Sequence, residues 1–136
     1  MKRSAIDMLI VGAGGIVGAL ARYGLSLVFN PADPAAFPWG TLACNLAGSF
    51  ALGSLASAAE GRLPDWLKLG LSTGVIGSFT TFSTLSVELL HLLQHGRLAA
   101  ALGYGLASAA GGLLSVRAGM ALTERRRYFA VKGGRP

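Results

Sequence analysis

Charge is scarce in this chain. Only 13% of its 136 residues are Asp, Glu, Lys or Arg, and long stretches carry none. A soluble fold needs a polar face on each surface helix, so this distribution excludes an ordinary soluble domain. Cysteine is nearly absent as well. Cys44 stands alone, which excludes an intrachain disulfide or a cysteine zinc site and leaves a small apolar filler on a buried helix. Catalytic patterns are missing too. There is no Ser-His-Asp arrangement, phosphate loop or nucleotide motif, and His91 and His95 lack the neighbours that a zinc site needs. An enzyme is not expected.

What the chain has instead is apolar and small. Hydrophobic residues make up 52% and glycine contributes 20 positions, with a mean hydropathy of +0.55. The net charge of +6 raises the question of nucleic acid. However, the basic residues collect at Lys2–Arg3, Arg62–Lys68 and Arg125–Arg135, just outside apolar runs, as membrane flanks do.

Four runs reach the roughly 17–25 residues that a membrane helix requires. They extend from Ile6 to Phe29, Trp39 to Ala59, Trp66 to Gln94 and Leu98 to Leu122. The first is too long for a signal-peptide core and reads as a retained span. Asn30-Pro31-Ala32-Asp33-Pro34, Glu60-Gly61-Arg62-Leu63-Pro64-Asp65 and Gly96-Arg97 are the links. The expected fold is all-α and integral to the membrane: residues 1–122 as one four-helix domain, then a basic tail, residues 123–136, that should fray. Gly14 with Gly18, Gly70 with Gly74, and Gly103 with Ala107 and Gly111 repeat at the spacing that lets helices approach closely.

Polar residues inside a span are costly and point to function. Thr41, Asn45 and Ser49 fall on one face of the second helix; Tyr104 and Ser108 share a face of the fourth, continuing through Gly112 and Ser115. Interhelical hydrogen bonding is the alternative for the hydroxyls, whereas Asn45 has a whole amide to satisfy. The third helix is the most unusual. Gly70, Gly74 and Gly77 precede Ser78-Phe79-Thr80-Thr81-Phe82-Ser83-Thr84, with Ser86 and Glu88 beyond. This composition predicts an interruption at Thr80 to Thr84, near the middle of the span. Unwound backbone at that depth exposes carbonyls for a cation or N–H groups for an anion.

Gly40-Thr41-Leu42-Ala43-Cys44-Asn45-Leu46-Ala47-Gly48 resembles the Gly-Thr-Leu-x-x-Asn-x-x-Gly signature of the small fluoride channels, the Fluc or CrcB family. Thr80-Thr81-Phe82-Ser83-Thr84 is similar to that family's phenylalanine-box segment, and Gly14 to Tyr23 to its first helix. The resemblance runs from about Gly12 to Gly112. It implies an antiparallel, dual-topology homodimer in the inner cell membrane, with two narrow pores that export cytoplasmic fluoride passively. Asn45 would be the pore amide with Thr41 near it, and Phe82 would meet fluoride with its ring edge, the positive part of an aromatic quadrupole. Ser83, Thr84, Tyr104 and Ser108 would add hydroxyl donors. Arg22, read as a charge within the first span, is expected to guard a pore entrance by attracting anions, with snorkelling to the interface as the alternative. Gly77 and Thr80 would offer carbonyls to a structural sodium ion at the dimer interface.

The chain departs from the family pattern at Leu85, where a second box phenylalanine is expected, and at Gly112, where a serine often stands. Glu88 is expected to cap or pair, because a carboxylate repels fluoride. Topology raises a conflict. Nine basic residues (Lys2, Arg3, Arg62, Lys68, Arg125, Arg126, Arg127, Lys132 and Arg135) fall on the side of the termini. The positive-inside rule puts that side in the cytoplasm, whereas opposed subunits predict little bias. Two rival readings stay open: a small dual-topology multidrug transporter, which needs a carboxylate early in the first span where only Asp7 is available, and a non-transporting membrane scaffold.

Overall fold

Apolar runs of this length leave the backbone no partner but itself, so helices follow. The computed structural model describes residues 2–59 and 62–133. Glu60 and Gly61 of the expected link, and Gly134, Arg135 and Pro136 of the tail, lie outside the described residues. Among those described, the regular elements are all helical, and four spans are long and apolar enough to cross a membrane.

α1 (Lys2–Phe29) and α2 (Trp39–Ala59) are the first two spans. The third is composite: α3 (Asp65–Leu69), a π-helical segment Gly70–Ile76, α4 (Gly77–Phe79) and α5 (Phe82–Gln94). α6 (Leu98–Gly133) is the fourth. The interruption is shorter than the sequence predicts. Only Thr80 (φ −84°, ψ 154°) and Thr81 (φ −148°, ψ 126°) are extended, while Ser83 and Thr84 already belong to the first turn of α5. The reason is local: Thr81 Oγ1 accepts the Thr84 N–H at 3.1 Å, a helix N-cap that restarts the helix at once.

The break redirects the span. Its first half, the π segment with α4, packs along α1, whereas α5 packs against α6; α2 lies along α6 over most of its length. Small residues permit these contacts. A methyl on Gly14 would come within 2.8 Å of the Gly70 carbonyl, and one on Gly18 would strike the Val75 carbonyl. Gly53 and Gly119 do the same for α2 and α6. Gly103 of the predicted small-residue stripe, by contrast, faces open space.

The turn between α5 and α6 is the one expected. Gly96 takes a φ of +70°, and Gly96 N–H and Arg97 N–H close onto the Leu93 and Leu92 carbonyls, a Schellman stop. α6 does not end where hydropathy falls. Its 36 residues make a rod of about 54 Å against about 30 Å of hydrocarbon, so residues 123–133 continue as helix rather than fraying. Arg127 Nη1 donates to the Ser57 carbonyl at 2.7 Å, holding this extension to the end of α2. The small buried core (Leu42, Leu92, Ala101 and Tyr104) lies at the opposite end, among α2, α5 and α6.

Candidate functional site

Breaking a helix leaves carbonyls before the break and N–H groups after it without their usual partners. Here α2 answers for both sides of Thr81. Asn45 Oδ1 accepts the Thr81 N–H at 2.8 Å and Asn45 Nδ2 donates to the Thr81 carbonyl at 3.0 Å. The carboxamide oxygen thus takes the place of the Gly77 carbonyl as acceptor for the Thr81 N–H, its nitrogen adds a donor to the N-cap carbonyl of α5, and one of its two N–H groups is left over. Gly48, three residues on, lets the α2 backbone come against Thr80, since a methyl there would overlap the Thr80 side chain. On the other flank, Arg22 Nε donates to the Ser78 carbonyl at 3.1 Å.

Beside the break lies a cavity of about 550 Å³, lined by Asn45, Ser49, Gly77, Thr80, Thr81, Phe82, Leu85 and Ser108, among others. Its walls are mostly apolar with a few aimed polar groups, the composition expected of a ligand pocket. Ser108 Oγ is buried without a hydrogen-bond partner among the described residues. Phe82 is 80% exposed, and Leu85 lines the wall close by. The first N–H groups of α5, on Phe82 and Ser83, have no acceptor within the helix because of their position.

A second polar cluster forms at the end of the bundle away from the termini, and its centre is Glu88. Thr41 Oγ1 donates to Glu88 Oε1 at 2.7 Å, Asn30 Nδ2 to the same oxygen at 3.1 Å, and Tyr104 OH to Oε2 at 2.7 Å. Asn30 Nδ2 also reaches Thr41 Oγ1 at 3.0 Å, while Asn30 Oδ1 caps α2 by accepting the Gly40 and Thr41 N–H groups at 2.7 and 3.2 Å. Both Thr41 and Tyr104 are fully buried. A carboxylate this deep in a span is held by several charge-assisted bonds.

The structure therefore divides the predicted site. Asn45, Phe82 and Ser108 share the cavity with Gly77 and Thr80, whereas Thr41 and Tyr104 belong to the Glu88 cluster. Ser83 is exposed, and Thr84 takes part in the Thr81 cap, its Oγ1 accepting from Thr81 Oγ1 at 3.0 Å. Arg22 sits behind the break, on the α1 side. Two participants escaped the sequence reading: Asn30, an ordinary turn residue ahead of a proline, and Thr81, whose backbone is the partner of Asn45. The clue to Asn30 was Glu88, a carboxylate in an apolar span that must find donors.

The carbonyls of Gly77 and Thr80 suit a hard cation in type. Both have lost their usual donors: the Thr81 N–H goes to Asn45 and the Thr84 N–H to Thr81 Oγ1. Among the described residues no group of three or more His, Cys, Asp or Glu could hold a metal, so backbone oxygen is the donor set at hand. Asp7 stays at the bundle's end, in a cleft lined with Ile6, Pro64, Asp65 and Trp66, at the edge of the first span and not embedded in it as the multidrug reading requires.

Residues 9–120 match the family model described as CrcB-like protein, Camphor Resistance (CrcB). The chain belongs to the CrcB family. It is 46% identical over 125 residues to the fluoride-specific ion channel FluC 2 of Geobacillus kaustophilus, covering 90% of this chain and 97% of that one. It is 42% identical over 118 residues to the fluoride-specific ion channel FluC of Rhizobium meliloti, covering 85% and 94%. These CrcB relatives bear the names of ion channels and not of enzymes.

Proposed function

We propose that this CrcB protein is a fluoride-selective channel of the inner cell membrane that lets cytoplasmic fluoride leave passively. The observation that carries the reading is the cavity at the break, where a buried hydroxyl without a partner among the described residues (Ser108), a spare amide N–H (Asn45) and the exposed ring of Phe82 converge. Fluoride is small and strongly hydrated, so a pore must replace its water with donors and then release it. Hydroxyl, amide and ring-edge donors do so without a fixed positive charge, which would hold the ion too firmly for conduction.

A single copy leaves the polar side of α5 and the ring of Phe82 uncovered, an arrangement ill suited to lipid. A second, antiparallel copy covering that face would close two pores, one per subunit. The Gly77 and Thr80 carbonyls from both copies would then supply the oxygens for one structural sodium ion, whose charge would balance the carbonyl ends that the break exposes. Fluoride efflux from liposomes reconstituted with the purified protein, compared with chloride efflux, tests the function. Rapid fluoride release with chloride retained is expected; equal or absent release of both would sink it.

A further inference from the structure

α1 presents one stripe to the irregular part of the third span. Gly14, Gly18 and Arg22, spaced by four, meet Gly70 with Gly74, then Val75 with Phe79, then Ser78. The two glycines remove any side chain between the backbones, and Arg22 ends the stripe with a donor. In a continuous helix the Ser78 carbonyl would accept the N–H of Phe82, four residues on. Arg22 Nε takes that carbonyl instead, at 3.1 Å. Asn45 Oδ1 does the equivalent one residue earlier, drawing the Thr81 N–H away from Gly77, and Thr81 Oγ1 draws the Thr84 N–H away from Thr80.

We infer that Arg22 is a positioning residue that keeps the third span broken. By occupying the Ser78 carbonyl it denies the helix the bond that would rewind it, and leaves the Phe82 N–H at the start of α5 free to face an anion. The guanidinium also lies against the carbonyl end of the π and α4 segment, where the helix dipole favours a cation. Arg22 acts through the backbone, not as a charge that gathers anions at an entrance. This inference rests on the channel reading, but it concerns backbone geometry that can be measured without flux.

Two substitutions separate donor from charge. Arg22→Gln places an amide nitrogen at the same distance along the side chain as Nε, without the charge; Arg22→Lys keeps the charge but has a methylene there. In liposomes of the full-length protein, R22Q is expected to retain fluoride efflux within about threefold of wild type, and R22K to lose about tenfold or more. Efflux by R22K equal to or above R22Q would overturn the inference in favour of an entrance charge, and so would wild-type rates that fall steeply with added salt. Two unchanged variants, or two equally impaired ones, would overturn it too.

Amide hydrogen exchange on the wild-type protein provides an arm that no misfolded variant can spoil. The Phe82 amide should exchange much faster than that of Leu85, one turn into α5, and equal protection of the two would show that Ser78 still accepts from Phe82. If wild type fails to prefer fluoride, the channel reading falls, while the exchange measurement still decides whether the break is held as inferred.

Discussion

The two polar clusters inside the spans are built from the same kinds of side chain and end in opposite states. Around Glu88, the strongest acceptor takes a hydrogen bond from each of three donors, and Thr41 and Tyr104 are sealed from outside. Around the break, Ser108 has no hydrogen-bond partner among the described residues, Phe82 is open, and the polar groups line the cavity. The first cluster spends its hydrogen bonds on joining α1, α2, α5 and α6. The second holds donors in reserve. Hydroxyls along a membrane helix are therefore not interchangeable: a saturated group ties helices together, and only an unsatisfied one can receive an ion.

The most severe way to break this contrast is to empty the saturated cluster. Glu88→Ala would strand the Tyr104 hydroxyl, Thr41 Oγ1 and one Asn30 amide in an apolar setting. Each buried donor left without its acceptor costs about 1–3 kcal/mol, and three lose theirs at once, so the thermal midpoint in detergent should drop sharply. A midpoint within a degree or two of wild type would show that water already reaches this cluster.

Next in size is the clamp on the break. Asn45→Ala removes both bonds to Thr81 and strands its N–H, at about 1–3 kcal/mol, while the Thr81 carbonyl, as the N-cap of α5, keeps its bond from the first turn of the helix. Relief is available by rewinding onto the Gly77 carbonyl, which would close the break. Fluoride efflux should therefore fall by about two orders of magnitude, with a smaller loss of thermal stability than Glu88→Ala. Efflux near the wild-type rate would show that the two-residue break holds without its α2 partner.

The difference between the clusters also marks what could be read from the sequence. The four spans were legible because hydropathy and length are enough to define them, and Gly96 announced its turn because its φ of +70° suits glycine. The interruption was legible from glycines and hydroxyls crowding one stretch, but its length was not. Whether Ser83 and Thr84 unwind depends on one hydrogen bond from Thr84 N–H to Thr81 Oγ1, and composition does not encode that choice. Face-sharing on a single helix correctly grouped Tyr104 with Ser108, yet they part company because Glu88 approaches only the first. Asn30 was illegible for the same reason, since its partners lie 10 to 58 residues away in sequence.

The smallest effects sharpen the comparison most, because they remove one oxygen from each cluster on the same face of α6. Ser108→Ala deletes a hydroxyl that bonds to none of the described residues, so thermal stability should hold or rise slightly, while fluoride efflux falls by about tenfold, the worth of one hydrogen bond to an ion. Tyr104→Phe deletes a hydroxyl bonded to Glu88, so it should cost about 1–3 kcal/mol of stability and leave efflux within about twofold. Measured side by side, the two variants should trade places between the melting curve and the flux assay. If Tyr104→Phe instead lowers efflux as much as Ser108→Ala does, fluoride travels past both hydroxyls. The Glu88 cluster would then have to give up its bonds as the ion passes, and the division between saturated and open donors would describe a resting state only.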